Sequence, residues 1–182
     1  MSNLQKNAEG VFSEYLEKYF DESECLNLLS EQIKDKEDLI SRKNFRGHIT
    51  ASGLVLFQNK ILLIFHNKLQ KYIQPGGHCD EEDFSILDVA KREVLEETGL
   101  RTEIYGKKFS EPLYIDSHKI PENEKKGEQE HFHHDFLFLL KPLTEKVLLD
   151  KTEVSDYRWV DLDYDFKDRE IKNAVKKLLE LI

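Results

Sequence analysis

The chain contains few of the residues that build cross-linked or membrane-anchored proteins. Its 182 residues include two cysteines, Cys25 and Cys79, which lie far apart and form no CxxC pair. This scarcity disfavours a disulfide framework and a structural zinc site, and it fits a reducing cytoplasm. No apolar run approaches the roughly 18 residues of a membrane helix, and the polar N-terminus has none of the features of a secretory signal.

Positive charge is also scarce. The 27 lysines and arginines are outnumbered by 36 acidic residues, so the formal net charge is -9. A net-acidic surface repels phosphate backbones, and we therefore expect no long nucleic acid as a partner. Small phosphorylated substrates remain compatible with this charge, because a bound divalent cation reverses the local field.

Several common enzyme signatures are missing as well. The sequence has no Walker loop, no GxGxxG and no GxSxG, and no paired base for Cys79 can be identified. Its composition, 39% hydrophobic and 35% charged, is that of an ordinary folded protein. The length is sufficient for one domain with a modest extension.

A helical extension is predicted over residues 1–46. This stretch contains no glycine or proline after Gly10, and its apolar side chains recur at helical spacing. Asp21 and Ser23 are candidate N-caps of a second helix. We interpret the extension as a helical lid packed on the main domain; a dimer interface or a partner-binding helix is the alternative.

From residue 47 the pattern becomes that of a mixed α/β (α+β) domain over 47–182. A hairpin is predicted through the Gln58-Asn59 turn, and a central helix ends at Gly99. The charged segment 119–130 indicates a loop. The remaining predicted elements are strands at 72–74, 101–105, 113–117, 132–140 and 157–160 and a last helix from about Asp168. This order favours a sandwich of helices and sheet.

The central helix carries acids where an apolar stripe would continue. Ile86, Ala90, Glu93 and Glu97 form one row along it, and Glu96 lies beside the row. An acidic face that only meets solvent normally lies opposite the apolar side. These acids instead extend the side that faces the protein.

The position of these acids also opposes the helix dipole. Glu96 and Glu97 lie in the last turn, where each acid costs roughly 0.3–1 kcal/mol. A hard divalent cation, which prefers oxygen ligands, would offset that cost. The alternative is a solvated helix end in which Lys91 and Arg92 are surface partners. The upstream Gly76-Gly77 pair, followed by four acids within six residues, favours the metal site.

These residues resemble the Nudix box. Arg92 to Leu100 (REVLEETGL) matches the second half of that motif at every specified position, and the resemblance extends from Gly47 onward. The first half carries one extra residue between the glycines and the helix. Either Glu82 or Asp83 can therefore occupy the first acidic position.

The resemblance implies an α/β/α sandwich around a mixed sheet and a magnesium-dependent hydrolase, with manganese able to substitute. Arg92 would orient the carboxylates, and a box glutamate or an acid from a later loop would be the general base. The implied metal ligands are Glu93, Glu96, Glu97 and a backbone carbonyl of Gly76 or Gly77. The candidate bases from later loops are Glu128, Glu130 and Glu153.

A cluster of histidines invites other interpretations. On a strand, His131, His133 and Asp135 share one face, and His134 points to the other. A dedicated zinc site, a substrate contact and ordinary sheet-surface histidines all remain open. The candidate substrate contacts are His78, Glu82, His134, Tyr72 and Glu130.

The predicted activity is hydrolysis of a diphosphate bond in a nucleoside diphosphate linked to another group. The expected partner is a small nucleotide-like molecule, with no membrane and a possible homodimer in a cytoplasmic setting. A Nudix-fold nucleotide sensor without catalysis is the alternative from another class. An isoprenyl diphosphate isomerase would need a reactive cysteine and another metal site, neither evident here, and RNA cap removal is disfavoured by the acidic charge.

Overall fold

The architecture is a mixed β-sheet layered between helices. The computed structural model describes residues 1–124 and 127–182, so the part of the predicted 119–130 loop at Lys125 and Lys126 lies outside the described residues. The elements are α1 (Asn3–Lys18), α2 (Asn27–Lys34), β1 (His48–Phe57), β2 (Lys60–His66), β3 (Lys71–Ile73), β4 (Gly76–His78), α3 (Ile86–Thr98), β5 (Thr102–Ile104), β6 (Tyr114–Ile120), β7 (His131–Pro142), β8 (Val154–Asp161) and α4 (Arg169–Leu181). Short 3-10 helices lie at Phe20–Leu26 and Lys107–Phe109.

The predicted hairpin is confirmed and joins β1 to β2 as an antiparallel pair. Gln58 and Asn59 both have positive φ, 49° and 62°, as a two-residue hairpin turn requires. Beyond the turn, β2 pairs with β3 and β8. β1 pairs antiparallel with β4 and parallel with β7, which also pairs with β5 and β6. Within residues 1–124 and 127–182, one parallel pair among antiparallel ones makes the sheet mixed.

Alternation along the strands produces a separate core on each side of the sheet. On β7, Phe136 and Phe138 join the core that contains α3, whereas Leu137 and Leu139 join the core that contains α4. Successive strand residues point to opposite faces, so one apolar run supplies both cores. The predicted α/β/α sandwich is therefore confirmed.

The central helix begins and ends where the sequence indicates. The Ser85 side chain accepts a hydrogen bond from Asp88 N, and Gly99 ends the helix in the left-handed conformation at φ 68°. The last helix begins after Asp168, whose side chain accepts from Glu170 N and Ile171 N. Among the described residues, no helix is long and apolar enough to cross a membrane.

The N-terminal extension is less helical than predicted. Regular helix ends at Lys34, and residues 35–47 follow an irregular path. In this segment the side chains of Asp38 and Asn44 hydrogen bond to nearby backbone groups, which competes with helix formation. The predicted caps were also wrong: neither Asp21 nor Ser23 caps a helix, because residues 20–26 form the 3-10 helix.

The N-terminal helices pack directly on the main core. Phe12 and Tyr15 of α1 are buried in the same apolar cluster as α3. Asn7 Oδ1 accepts a hydrogen bond from Ile86 N at 2.9 Å, which satisfies a donor at the start of α3. Lys177 Nζ of α4 lies 2.8 Å from Tyr15 Oη. The extension thus contacts helices on both sides of the sheet.

Candidate active site

The acidic row predicted on α3 is buried beneath β4. Glu93 and Glu97 retain 9% and 3% of their exposure, whereas Glu96 is exposed. Ile86 and Ala90, which begin the row, are fully buried. The carboxylates therefore continue the apolar side of the helix into the protein, and Glu96 stays at its edge.

The glycine pair brings β4 against these carboxylates. Gly76 N donates to Glu97 Oε2 at 2.9 Å. A Cβ placed on Gly77 would lie 2.6 Å from Glu93 Cδ, closer than atoms tolerate. Neither glycine has positive φ. Gly77 is therefore required by the close approach of the backbone to the carboxylate rather than by its conformation.

Arg92 joins the turn, the loop and the helix. Its guanidinium donates to Asp83 Oδ1 at 3.1 Å and Oδ2 at 3.0 Å, and to the His78 carbonyl at 2.7 Å. One nitrogen, Nη1, also donates to Glu93 at 2.9 Å and Glu96 at 3.0 Å. Asp83 rather than Glu82 thus holds the arginine, which decides between the two positions for this contact; Glu82 is exposed.

Burial leaves two of the acids in an unfavourable environment. It raises the pKa of Glu93 to about 7, against the opposing effect of Arg92. It raises the pKa of Glu97 to about 8; the charges of Glu93 and Glu153 add to this, and the Gly76 N–H opposes it. A desolvated carboxylate resists ionisation unless a positive charge lies nearby. Both residues are therefore poised to gain from a cation.

The segment between β7 and β8 hydrogen bonds to the C-terminal end of α3. Leu148 N donates to the Thr98 carbonyl at 2.8 Å, and Asp150 N donates to the Glu97 carbonyl at 3.2 Å. These bonds satisfy carbonyls left open at the helix C-terminus. They also bring Glu153 near enough for its charge to act on Glu97.

The other two candidate bases have different surroundings. Glu130 forms an ion pair with Lys119 at 2.6 Å, with both side chains about half exposed. Glu128 pairs with Asn123 in an isolated bridge, and its charge acts on His48. Of the three acids, Glu153 is the one whose charge bears on the pKa of Glu97.

Comparison with known proteins agrees with this geometry. Residues 47–180 match the NUDIX domain family. The chain belongs to the NUDIX family. The match spans the hairpin, α3 with its acids, β7 and most of α4.

Two curated proteins resemble this NUDIX chain. A probable DHNTP pyrophosphohydrolase of Lactococcus lactis subsp. cremoris is 37% identical over 93 residues, which are 51% of this chain and 53% of that protein. Nudix hydrolase 8 of Arabidopsis thaliana is 28% identical over 144 residues, which are 74% of this chain and 35% of that protein. The chain thus spans about half the length of the first and about a third of the second.

Solved structures share the NUDIX fold. A NUDIX hydrolase from Clostridium perfringens has a TM-score of 0.55 at 19% identity, over 74% of this chain and 98% of that one. A UDP-X diphosphatase has a TM-score of 0.54 at 20% identity, over 91% of this chain and 80% of that one. The second superposition therefore includes part of the N-terminal helices.

NUDIX enzymes generally use a divalent metal, and the donors on α3 fit a hard cation. The three glutamates supply carboxylate oxygens beside a glycine-rich turn, which is the ligand chemistry that Mg²⁺ prefers. Their oxygens do not form a closed cage: Glu93 and Glu96 share Arg92, while Glu97 turns to Gly76. Mg²⁺ needs no such cage, because it retains several waters and binds through a few carboxylates together with substrate phosphates.

His134 is not placed to meet a substrate. It is fully buried, and its ring nitrogens lie 2.8 Å from Gln32 Oε1 and 2.7 Å from Ser117 Oγ. Burial lowers its pKa to about 4. The predicted substrate contact is therefore wrong in this structure: the residue fastens α2 and β6 to β7.

The remaining candidate contacts lie in different places. His78 is half-buried on β4, with its carbonyl bound to Arg92. Tyr72 lies on β3, where its hydroxyl bonds to Asp156 and Arg158 stacks 4.1 Å from its ring centre. Glu130 lies in the surface ion pair described above. Among these residues, the fold brings only His78 to the Arg92 network.

A buried polar layer on the other face of β1 was missed by the sequence reasoning. Thr50 Oγ1 donates to Asp135 at 2.7 Å, and Ser52 Oγ also donates to Asp135. Gln74 Nε2 donates to Glu170 at 2.9 Å, and burial next to Asp135 raises the pKa of Glu170. The available signal was the alternation of Thr50 and Ser52 with apolar residues, which marks a strand face with a polar lining.

Cys79 is an inert thiol. It is buried, burial raises its pKa to about 12, and its sulfur lies 3.7 Å from the Ile49 carbonyl. A reactive cysteine is a thiolate with a lowered pKa. The environment of Cys79 therefore agrees with the exclusion of thiol chemistry at this site.

Proposed function

We propose that this chain hydrolyses a diphosphate bond in a nucleoside diphosphate linked to another group, with Mg²⁺ as its metal and Mn²⁺ as a substitute. The observation that carries the proposal is the pair of buried carboxylates, Glu93 and Glu97, packed under the Gly76–Gly77 turn. Burying two acids on one face of a helix, one of them in its last turn, is unfavourable unless a cation compensates them.

Glu93, Glu96 and Glu97 would hold the metal, and a carbonyl of Gly76 or Gly77 would add a ligand. When bound, the metal supplies charge neutralisation of the diphosphate and a water of lowered pKa. Gly76 N orients Glu97 by its hydrogen bond, and Arg92 orients Glu93 and Glu96. Arg92 is thus a positioning residue whose role is to aim the carboxylates.

Glu153 is our choice for the general base. Its backbone is tied to Asp150, which is in turn bonded to the end of α3, so its position is fixed relative to Glu97. Its side chain is exposed, and its charge acts on Glu97. A carboxylate in this position would accept the proton of the attacking water as the new phosphorus–oxygen bond forms and the bond to the bridging oxygen breaks, so that this oxygen leaves with the other phosphate.

We choose the candidate substrates from the name of a relative and from the net charge of this chain. The Lactococcus lactis relative is named for action on DHNTP, and we include that compound among the candidates. A net charge of -9 favours a small substrate over long nucleic acid. The cytoplasmic setting, the possible homodimer and a NUDIX domain boundary at residue 47 stay predictions.

The test is product release from a panel of diphosphate compounds: DHNTP, ADP-ribose, nucleotide sugars, dinucleoside polyphosphates and oxidised nucleotides. Each is incubated with Mg²⁺, with Mn²⁺ and with chelator, and products are separated by chromatography. We expect metal-dependent cleavage of at least one compound. Nucleotide binding without cleavage of any compound would instead favour the sensor alternative.

A further inference from the structure

Five of the seven histidines meet on one face of the sheet. Their ring centres are separated by 4.7 to 5.8 Å in a connected cluster formed by His48, His78, His118, His131 and His133. Strand register explains the cluster. His48 on β1 is paired with His133 on β7, and His133 is paired with His118 on β6. His78 on β4 is paired with Thr50, two residues along β1.

Three of these rings, those of His48, His78 and His133, have ring nitrogens close to one another. One ring nitrogen from each of His48, His78 and His133 lies within 4.8 Å of the other two. In a tetrahedral zinc site with bonds of about 2.0 Å, ligand nitrogens are about 3.3 Å apart. The nitrogens lie up to 4.8 Å apart in this structure, so the rings would move closer together on binding a cation.

His48 carries a nitrogen that lacks a partner. The residue is 1% exposed, and its Nδ1 lies 3.3 Å from the Asn44 carbonyl, to which it can only donate. Its Nε2 is buried and has no hydrogen-bond partner in the described part of the chain. A ring that donates one N–H to a backbone carbonyl and leaves the other nitrogen bare is the usual arrangement of a metal-binding histidine.

His133 has a lone pair available as well. His131 Nδ1 donates to the Gln129 carbonyl at 2.6 Å, and His131 Nε2 lies 3.2 Å from His133 Nε2. In the tautomer in which the single ring proton of His131 is on Nδ1, its Nε2 accepts a hydrogen bond from His133 Nε2. The lone pair of His133 then resides on Nδ1.

We propose that His48, His78 and His133 form a second metal site, for a borderline transition-metal cation such as Zn²⁺. Neutral imidazoles suit zinc, whereas the carboxylates of α3 suit Mg²⁺, so the two sites select different ions. They are also separated by β4. The side chain of His78 joins the histidine face, while its neighbour Gly77 faces Glu93. A cation here would tie β4 to β1 and β7 and so fix the glycine turn.

The experiment is metal titration of the full chain after treatment with chelator. Zn²⁺ is titrated against a chromophoric competitor with Mg²⁺ in excess, and Co²⁺ is followed by visible absorption. We expect one equivalent of each to bind. His133→Ala should lower the affinity by more than the roughly 10–100-fold that loss of an outer partner costs. His66→Asn, which changes a histidine of β2 in the other part of the sheet, and Glu97→Gln should both retain binding.

A second measurement tests the histidine site if the His133→Ala variant does not fold. X-ray absorption of wild-type protein with one equivalent of Zn²⁺ reports the ligand atoms directly. We expect the scattering of three imidazole rings. A shell of oxygen ligands alone, or equal Zn²⁺ affinity in wild type and a folded His133→Ala variant, would overturn the proposal.

Discussion

At the scale of single residues, burial makes the ionised forms of Glu93 and Glu97 unfavourable when no cation is bound beside them. Their pKa values, about 7 and about 8, exceed the ordinary value of 4.5. Between the ordinary pKa of 4.5 and the raised pKa of about 8, the folded protein therefore binds more protons than the unfolded chain. Stability then falls as pH rises through this window, and the contribution is fully present only below 4.5.

We therefore expect metal-free protein in chelator to lose stability between pH 6.5 and pH 8, where the unfolded chain has lost the proton that folded Glu97 still holds. Glu97→Gln should flatten that slope, because the amide is neutral throughout. Denaturant unfolding of both proteins at several pH values measures it. His133 and His134, whose pKa values are lowered, act in the opposite sense below 6.5, outside this range. Equal slopes in the two proteins would refute the claim.

The space at Gly77 leads to a second expectation. A Cβ there would collide with the Glu93 carboxylate, whereas at Gly10, in α1, a Cβ meets nothing within 4 Å. Gly77→Ala should lower kcat/KM by about 100-fold, the cost of displacing a catalytic group by about 1 Å. Gly10→Ala should retain activity and gain up to about 1 kcal/mol in stability. Equal activity of the two variants would contradict this account.

At the scale of elements, the sequence predicted turns and helix ends correctly where they depend only on neighbouring residues. The hairpin at Gln58-Asn59, the Ser85 cap and the Gly99 end each depend on a few neighbouring residues, and each is present. The cap at Ser23 was wrong because a 3-10 helix occupies that segment. Nothing in the sequence pattern alone distinguishes a short 3-10 helix from a regular one.

These two serines provide a matched test of capping. Ser85→Ala removes the bond to Asp88 N and should cost about 1 kcal/mol, or about 2–4 °C in Tm. Ser23→Ala removes no cap and should change stability by less than about 0.5 kcal/mol. Thermal unfolding measures both. A Ser23→Ala loss as large as that of Ser85→Ala would restore the sequence-based prediction.

Contacts between distant strands could not be predicted in the same way. Glu93 and Glu97 share one helix, so their spacing, together with the Gly76-Gly77 pair and the acids that follow it, indicated a site. His48, His78 and His133 come from three strands and meet only through sheet register. Register depends on the whole pattern of pairing, and one sequence does not specify which strands are neighbours.

At the scale of the whole molecule, the N-terminal helices form part of the core although the NUDIX match begins at residue 47. Gln32 binds both His134 and the Gly47 carbonyl, at 2.8 and 2.9 Å. A Cβ at Gly47 would lie 2.7 Å from His134 Nε2, so β1 begins in close contact with these groups. The extension therefore holds together the strands that carry the histidines.

We expect the fragment 47–182 to be much less stable than the full chain. The fragment lacks α1 and α2, so the apolar core that these helices cover becomes exposed. Circular dichroism and hydrogen exchange of the fragment measure this, with added 1–46 peptide as the control for recovery. A fragment that unfolds with the full-length Tm would show instead that residues 47–182 are an independent domain.

We propose that the buried carboxylates of α3 hold the metal that drives hydrolysis. The most direct measurement is kcat/KM for a cleaved diphosphate compound, with saturating Mg²⁺, in Glu97→Gln and in Glu103→Gln, whose side chain pairs with Lys141 at the surface. We expect Glu97→Gln to lose at least about 100-fold and Glu103→Gln to match wild type. Full activity in Glu97→Gln would contradict the account.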